Sequence, residues 1–407
     1  MHTWEREIIR ELAKERLEIS RLPIMEERAK LWTKHNDLQG ERPMIFFEPW
    51  TIADVGFFYN HIKCETPMAA RLERLLGGGL VNHKMIDDDR VVTSDFVCKF
   101  DVSLLPFNMP IKKEQSTDGL GFHIVEQIKS LEDTSIIAPS NIKIDLESSK
   151  EWFDFVQDAI GDILQVRHGM DALYAPLTNE IVHRMGMENM YMEMYDNPDG
   201  FHYMMDSLSN DYVAYFRRLE AAGAIVANNK NDYLAQGSWG FCSDLPNVAN
   251  TASECWGYMD SQETVSISPD MFHEFFFPYY KKVADNFGLL SYGCCEAVHS
   301  FWDKSLSKFE NLRKISISPW CDERFMGEKL AGSNVIYQRK PSPNFIGVDV
   351  ELNEDGFREH IRATLNAAKG CKLEISFRDV YNLSGRLNKP RRAVEITREE
   401  IENNWQV

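Results

Sequence analysis

The chain of 407 residues carries 45 Lys and Arg against 63 Asp and Glu, a formal net charge of −18, with 43% hydrophobic and 27% charged residues. That length and apolar content suit a large core, whereas so acidic a surface disfavours nucleic acid, anionic membranes and polyanionic substrates. No apolar run approaches the ~18–20 residues of a membrane span, and the charged start and eight scattered cysteines indicate a cytoplasmic, reduced protein with neither secretory signal nor disulfide framework.

Residues 4–38 set Ile8, Ile9, Leu12, Leu17 and Ile19 at helical spacing among charges, interrupted at Pro23. This predicts a helical extension over residues 1–42. PMIFFEPW (43–50), bounded by prolines, predicts a first buried strand. From there to about 145 the pattern is mixed, including a triple glycine and the acidic run Asp87–Asp88–Asp89, and predicts an irregular insertion of helices and a hairpin.

From about 150 onward, helical stretches alternate with short apolar runs: MDALYAP, AIVANNKNDY, GYMDSQETV, LLSYGCCE, KISISPWCD, NVIYQRKPSP and KLEISFRDV. Alternating strands and helices predict a parallel β/α architecture. The expectation is a (β/α)8 barrel of the TIM type. With no linker or low-complexity tract in the sequence, it forms a single domain over 1–407, residues 1–42 being its extension. The strands end in polar or reactive residues, where such a barrel builds its active site. No glycine-rich dinucleotide loop or Walker loop follows any strand.

SYGCCEAVHS (291–300) is the densest candidate. Strand alternation puts Tyr292, Cys294 and Glu296 on one face and turns Cys295 to the other, where it packs. The next strand ends in Trp320, Cys321 and Asp322, and the preceding one is followed by Glu263. Cys294 and Glu296, with Cys321 or Glu263, have the chemistry of a catalytic Zn²⁺ with one open position. Glu263 and Asp322 serve equally well as helix caps. Tyr292 or Asp322 is the candidate proton donor or orienting group. Asn229, Asn231 and Asp232 could position a substrate or cap a helix, and Trp320 is a candidate substrate contact. The methionine-dense RMGMENMYMEM reads as helical core.

The chain from about 150 resembles the uroporphyrinogen decarboxylase superfamily, which includes zinc- and corrinoid-dependent methyltransferases. The resemblance rests on ALYAPLTNEIVHRMGMENMYMEMYDNPDGFHYMMDSL, on SISPDMFHEFFFPYYKKV and on the order of the strands. The family's His-x-Cys-Gly strand is matched by Tyr292–Gly293–Cys294–Cys295, so the cysteine is kept and the histidine is tyrosine. No cysteine stands near VIYQRKPSP, where the family has a later one.

The resemblance implies a methyltransferase that moves a methyl group from a small methylated donor, such as a methoxylated aromatic, to the cobalt of a corrinoid held by a partner protein. It also implies a bound zinc acting as Lewis acid, and a homodimer. The Asp-x-His-x-x-Gly cobalt-binding motif is absent from this chain. A porphyrinogen decarboxylase is the alternative, although the first strand lacks the arginines that many substrate carboxylates call for. A barrel without catalysis, kept for binding or regulation, is the other.

Overall fold

The charged N-terminal segment forms two helices, Thr3–Ser20 and Pro23–Asn36. Pro23 starts the second rather than bending a single long one, because its fixed φ and missing N–H suit a first helical turn. Ile9 and Ala13 pack with Leu72 and Leu76 of the helix Pro67–Gly78 and with Trp152 and Val156 of the helix Leu146–Ile160. The extension is thus bound to the body by its own small core.

These features come from a computed structural model that describes residues 1–57, 61–115 and 122–405. In chain order the strands are β1 Met44–Phe47, β2 Asp95–Lys99, β3 Asp101–Leu105, β4 Lys113–Gln115, β5 Phe122–Ile124, β6 Asn141–Asp145, β7 Gln165–Gly169, β8 Leu173–Tyr174, β9 Trp256–Met259, β10 Leu289–Tyr292, β11 Leu312–Ile317, β12 Ile336–Arg339 and β13 Leu373–Phe377. Seven of them form one sheet in the order β1-β13-β12-β11-β10-β9-β8, all pairs parallel. The irregular insertion holds two antiparallel pairs, β3 with β6 and β4 with β5. Residues 58–60 and 116–121 of that stretch lie outside the described residues.

The expectation of a (β/α)8 barrel is met in its parallel α/β ladder. That ladder is a seven-stranded sheet, and a closed ring is not found among the described residues. Strand β2 pairs in parallel with β7 as a separate two-stranded sheet. The acidic run lies along β1. The Asp89 amide donates to the Ile45 carbonyl, but the Ile45 and Phe47 amides donate to the side chains of Asp89 and Asp88 at 2.8 and 2.7 Å. Carboxylates occupy donors that a neighbouring backbone would otherwise take.

Strand alternation sorts the sheet into two faces. Ile45, Phe47, Leu290, Tyr292, Ile315, Ile317, Tyr337, Ile375 and Phe377 pack under the helices in the main core. Each fully buried side chain of that kind is worth about 1.5–3 kcal/mol. On the other face lie Trp256, Lys314, Gln338, Glu374 and Ser376, and a segment of the chain itself runs along them. Ser376 Oγ donates to the Gly237 carbonyl and Gln338 Nε2 to the Gln236 carbonyl. Ala235, Gln236 and Gly237 take positive φ values of 76°, 53° and 81°. Two of the three are not glycine, so the conformation costs free energy that the surrounding bonds offset.

Below this plug, Lys314 Nζ donates to Glu374 and to Ser238 Oγ, each at 2.6 Å, and His35 Nε2 lies 3.2 Å from the same carboxylate. Lys314 and Glu374 are at most 1% exposed. Among the described residues, no helix is long and apolar enough to cross a membrane.

Candidate active site

Parallel strands deliver their C-terminal ends to one side of a sheet, so residues just past β9, β10, β12 and β13 meet there. Asp260 follows β9. Its carboxylate accepts from Tyr258 Oη at 2.7 Å and Tyr174 Oη at 3.0 Å, and the two rings stack at 4.9 Å. Burial pushes Asp260 up to about 7, and the charge of Glu296 adds to the rise against the two tyrosine hydroxyls. Asp260 is therefore partly protonated near neutral pH. Tyr174 is 45% exposed and forms the open side of the pair.

Beyond β10, Gly293 has φ +100°, a conformation suited to glycine. It breaks the alternation that would have sent the two cysteines to opposite faces. Cys294 and Cys295 are both half-buried, with their Sγ atoms 3.6 Å apart. The Cys294 thiol donates to Cys295, and this bond, with the charges of Lys340 and Arg378, lowers Cys295 to about 7 although burial opposes it. The same bond, with burial, pushes Cys294 up. Cys295 is thus the more acidic of the two thiols. It was expected to be packing and lies half-buried beside Cys294.

Lys340, just past β12, donates to the Cys294 carbonyl at 2.8 Å and to Gln236 Oε1 of the plug at 2.6 Å. Arg378, just past β13, has its Nε 3.3 Å from Glu48 and 3.4 Å from Asp379. The Tyr233 hydroxyl also donates to Glu48. A partly protonated acid, an acidic thiol and two cations thus share one end of the sheet.

The nominated residues fare unevenly. Glu296 is fully buried and accepts from the Ser261 amide at 2.8 Å and the Cys294 amide at 2.7 Å. Its carboxylate fixes the turn beneath the thiols. Burial raises it, with those amides opposing. Tyr292 points to the helix side against Tyr280 and Phe309, and its hydroxyl meets Ser261 Oγ at 2.6 Å. Tyr292 therefore supports Glu296 from behind, rather than sharing a face with Cys294.

Glu263 accepts from Thr178 Oγ1 at 2.7 Å and Asn179 Nδ2 at 3.0 Å, at the start of the helix Leu177–Met185. Asp322 accepts from the Phe325 amide and caps the helix Glu323–Leu330. Cys321 is buried, and Trp320, 76% exposed, stands on the rim. Asn229 donates to the Leu245 carbonyl and holds a loop. Asn231 donates to Thr93 Oγ1, and Asp232 lies 3.4 Å from Arg167.

These positions answer whether a zinc would fit. Among the described residues, no three His, Cys, Asp or Glu side chains are grouped as a metal requires. Both Glu296 oxygens already accept from backbone amides, and Glu263 is bonded to another helix. The set Cys294, Glu296, Cys321 and Glu263 does not fit a zinc centre.

Asp260, Tyr174, Tyr258 and Cys295 were not singled out by the sequence, although one signal was available. Counting two residues at a time from Trp256 along β9 passes Tyr258 and reaches Asp260 on the same face.

Comparison with solved structures finds similarity to a methyltransferase from Methanosarcina mazei. The TM-score is 0.50 at 10% identity, over 91% of this chain and 97% of that one. At that identity the likeness concerns the fold alone. No family model matches the chain, and no curated protein matches it.

Proposed function

We propose that the chain is a methyltransferase that takes a methyl group from a heteroatom of a small donor, a methoxylated aromatic being the preferred class. The observation that carries this reading is Asp260: a carboxylic acid that keeps its proton to about pH 7 beneath an exposed aromatic ring at the sheet's C-terminal end. When a methyl group leaves an aryl ether, negative charge develops on the oxygen left behind. A positioned acid removes that charge by proton transfer, typically worth 10²–10⁴-fold in rate. Lys340 and Arg378 add positive potential at the same end. Tyr174 offers a ring face for an aromatic donor. The fold shared with a methyltransferase supports the class of reaction.

The acceptor in this proposal is a reduced corrinoid on a partner protein, which supplies the nucleophile when docked. Trp50, Trp320 and Tyr381 follow β1, β11 and β13 and are 43%, 76% and 63% exposed. They offer a partner an aromatic rim on the side where Cys295 and Asp260 lie. No step is assigned to zinc, because the residues present do not fit it.

The test is methyl transfer to cob(I)alamin from a panel of methoxybenzoates, with the wild type beside Asp260→Asn. Transfer from at least one donor, reduced about 10²-fold or more in the variant, is expected. Absence of transfer from every donor, with zinc supplied or withheld, would remove this reading. Equal rates in the two proteins would remove Asp260 from it.

A further inference from the structure

A second cavity lies on the β2 side of the plug, away from the thiols. Its volume is about 190 Å³, and its charged lining is Arg16, Arg90 and Lys99 with the carboxylates Asp171 and Asp232, beside Asn231, Trp239 and Tyr233. That is smaller than the ~300–1,000 Å³ of pockets for drug-sized ligands.

The feature that needs explaining is Arg90. Its guanidinium carbon sits 3.5 Å from the centroid of the Trp239 ring, a stacked cation–π contact. Its Nε is buried without a hydrogen-bond partner, and no carboxylate lies within ion-pair distance among the described residues. The neighbouring acids are already engaged. Asp95 accepts from Arg167 Nε, Asp171 from Lys99, and Asp232 lies 3.4 Å from Arg167. Asp88 is held by the amides of Phe47 and Arg90. Arg16 spends its bonds on backbone, from Nε to the Thr93 carbonyl and from an NH₂ group to the Asp95 carbonyl, and shares the Asp95 charge with Arg167. Burial, with Arg16 nearby, pulls Arg90 down to about 9.

A guanidinium nitrogen buried with no acceptor is costly, and Arg90, half-buried as a residue, has one. Asp171 and Asp232 also line the cavity, but they are paired with Lys99 and Arg167 and not with Arg90. One face of the guanidinium lies on Trp239 and its Nε is closed off, so its two terminal NH₂ groups are the donors it can turn to a planar or tetrahedral oxyanion.

We infer that this cavity binds a small oxyanion, a carboxylate or phosphate group, held by Arg90 against Trp239 with Arg16 adding positive charge. The site stands apart from the methyl-transfer reading and touches it at one point. Tyr233 lines the cavity and donates its hydroxyl to Glu48, the partner of Arg378.

The experiment is isothermal titration of the full chain, in a buffer low in chloride, with benzoate and separately with inorganic phosphate. The same titrations follow on Arg90→Gln and on Asn231→Asp, which sets a negative charge into the cavity. One-to-one saturable binding of at least one anion is expected, weakened about ten-fold or more in both variants. Benzoate alone would mark a carboxylate-bearing ligand, phosphate alone a phosphate, and both a general oxyanion site. Neither anion saturating by about 10 mM, or binding undiminished in the variants, would overturn the inference. If Arg90→Gln fails to give the wild-type circular dichroism, Asn231→Asp decides the matter, since it leaves the guanidinium and its stacking in place.

Discussion

Replacing Lys314 by Met asks how much the buried ion cluster beneath the plug contributes. Methionine keeps the straight chain and removes the ammonium, so Glu374 retains only His35, 3.2 Å away, with its Oε1 already unpartnered among the described residues. Burial alone would raise Glu374, yet Lys314 and His35 bring it from 4.5 to about 2. That depression corresponds to roughly 3 kcal/mol, in line with the ~3–5 kcal/mol expected when one partner of a buried pair is removed. Burial also pulls Lys314 down, so the intact pair carries a desolvation cost of its own. The expense of the single substitution lies in the carboxylate left behind.

Because the folded value is depressed, this contribution is complete above pH 4.5 and is lost as pH falls towards 2. In Lys314→Met the burial effect is unopposed by the ammonium, and Glu374 takes up a proton at higher pH. Urea melts followed by circular dichroism should therefore show a loss of about 3 kcal/mol at pH 7 that shrinks at pH 5. Adding Glu374→Leu should recover most of it. A loss below about 1 kcal/mol at pH 7, or an equal loss at both pH values, would refute the reasoning.

The methyl-transfer rate of the wild type should fall as pH rises through about 7, where Asp260 gives up its proton, and this limb should be missing from the Asp260→Asn profile. Iodoacetamide should alkylate one thiol with a rate rising to half its plateau near pH 7. Cys295→Ser should abolish that phase, and Cys294→Ala, which removes the thiol donor, should move it towards 9; peptide mapping of the labelled site checks both. Gly327→Ala should destabilise the chain by about 1–3 kcal/mol, against the usual helix preference for Ala. A Cβ there would stand 1.8 Å from the Ala367 carbonyl, and the urea midpoint gives the sign.

Most strands were legible because their apolar runs are short and regularly spaced, although AIVANNKNDY forms no strand, and the two N-terminal helices because their apolar residues recur on one face. The role of the acidic run was not legible. Asp87–Asp88–Asp89 reads as a solvated turn, and only the fold brings two of these carboxylates onto the amides of β1. At the site, composition led to the strand end where both thiols lie, and turned Cys295 away from it. The argument assumed that alternation continues through Gly293, whereas its positive φ ends it. Asp322 and Glu263 differ. Capping was the alternative for both: Asp322 does cap its helix, whereas Glu263 instead accepts from the side chains of Thr178 and Asn179.

The plug also constrains the order in which the molecule can assemble. Gln236, Gly237 and Ser238 are held by Gln338, Ser376 and Lys314, residues 76 to 139 positions further along the chain. Three consecutive left-handed residues have no reason to persist without those bonds. Contacts of such sequence separation form slowly, because loop closure precedes any gain. During synthesis the first 300 residues would leave the ribosome with this segment unanchored and its polar groups still in water. The chain therefore completes its interior only when its last strand arrives, and a truncation before β13 should behave as an incompletely folded species and not as a smaller stable domain.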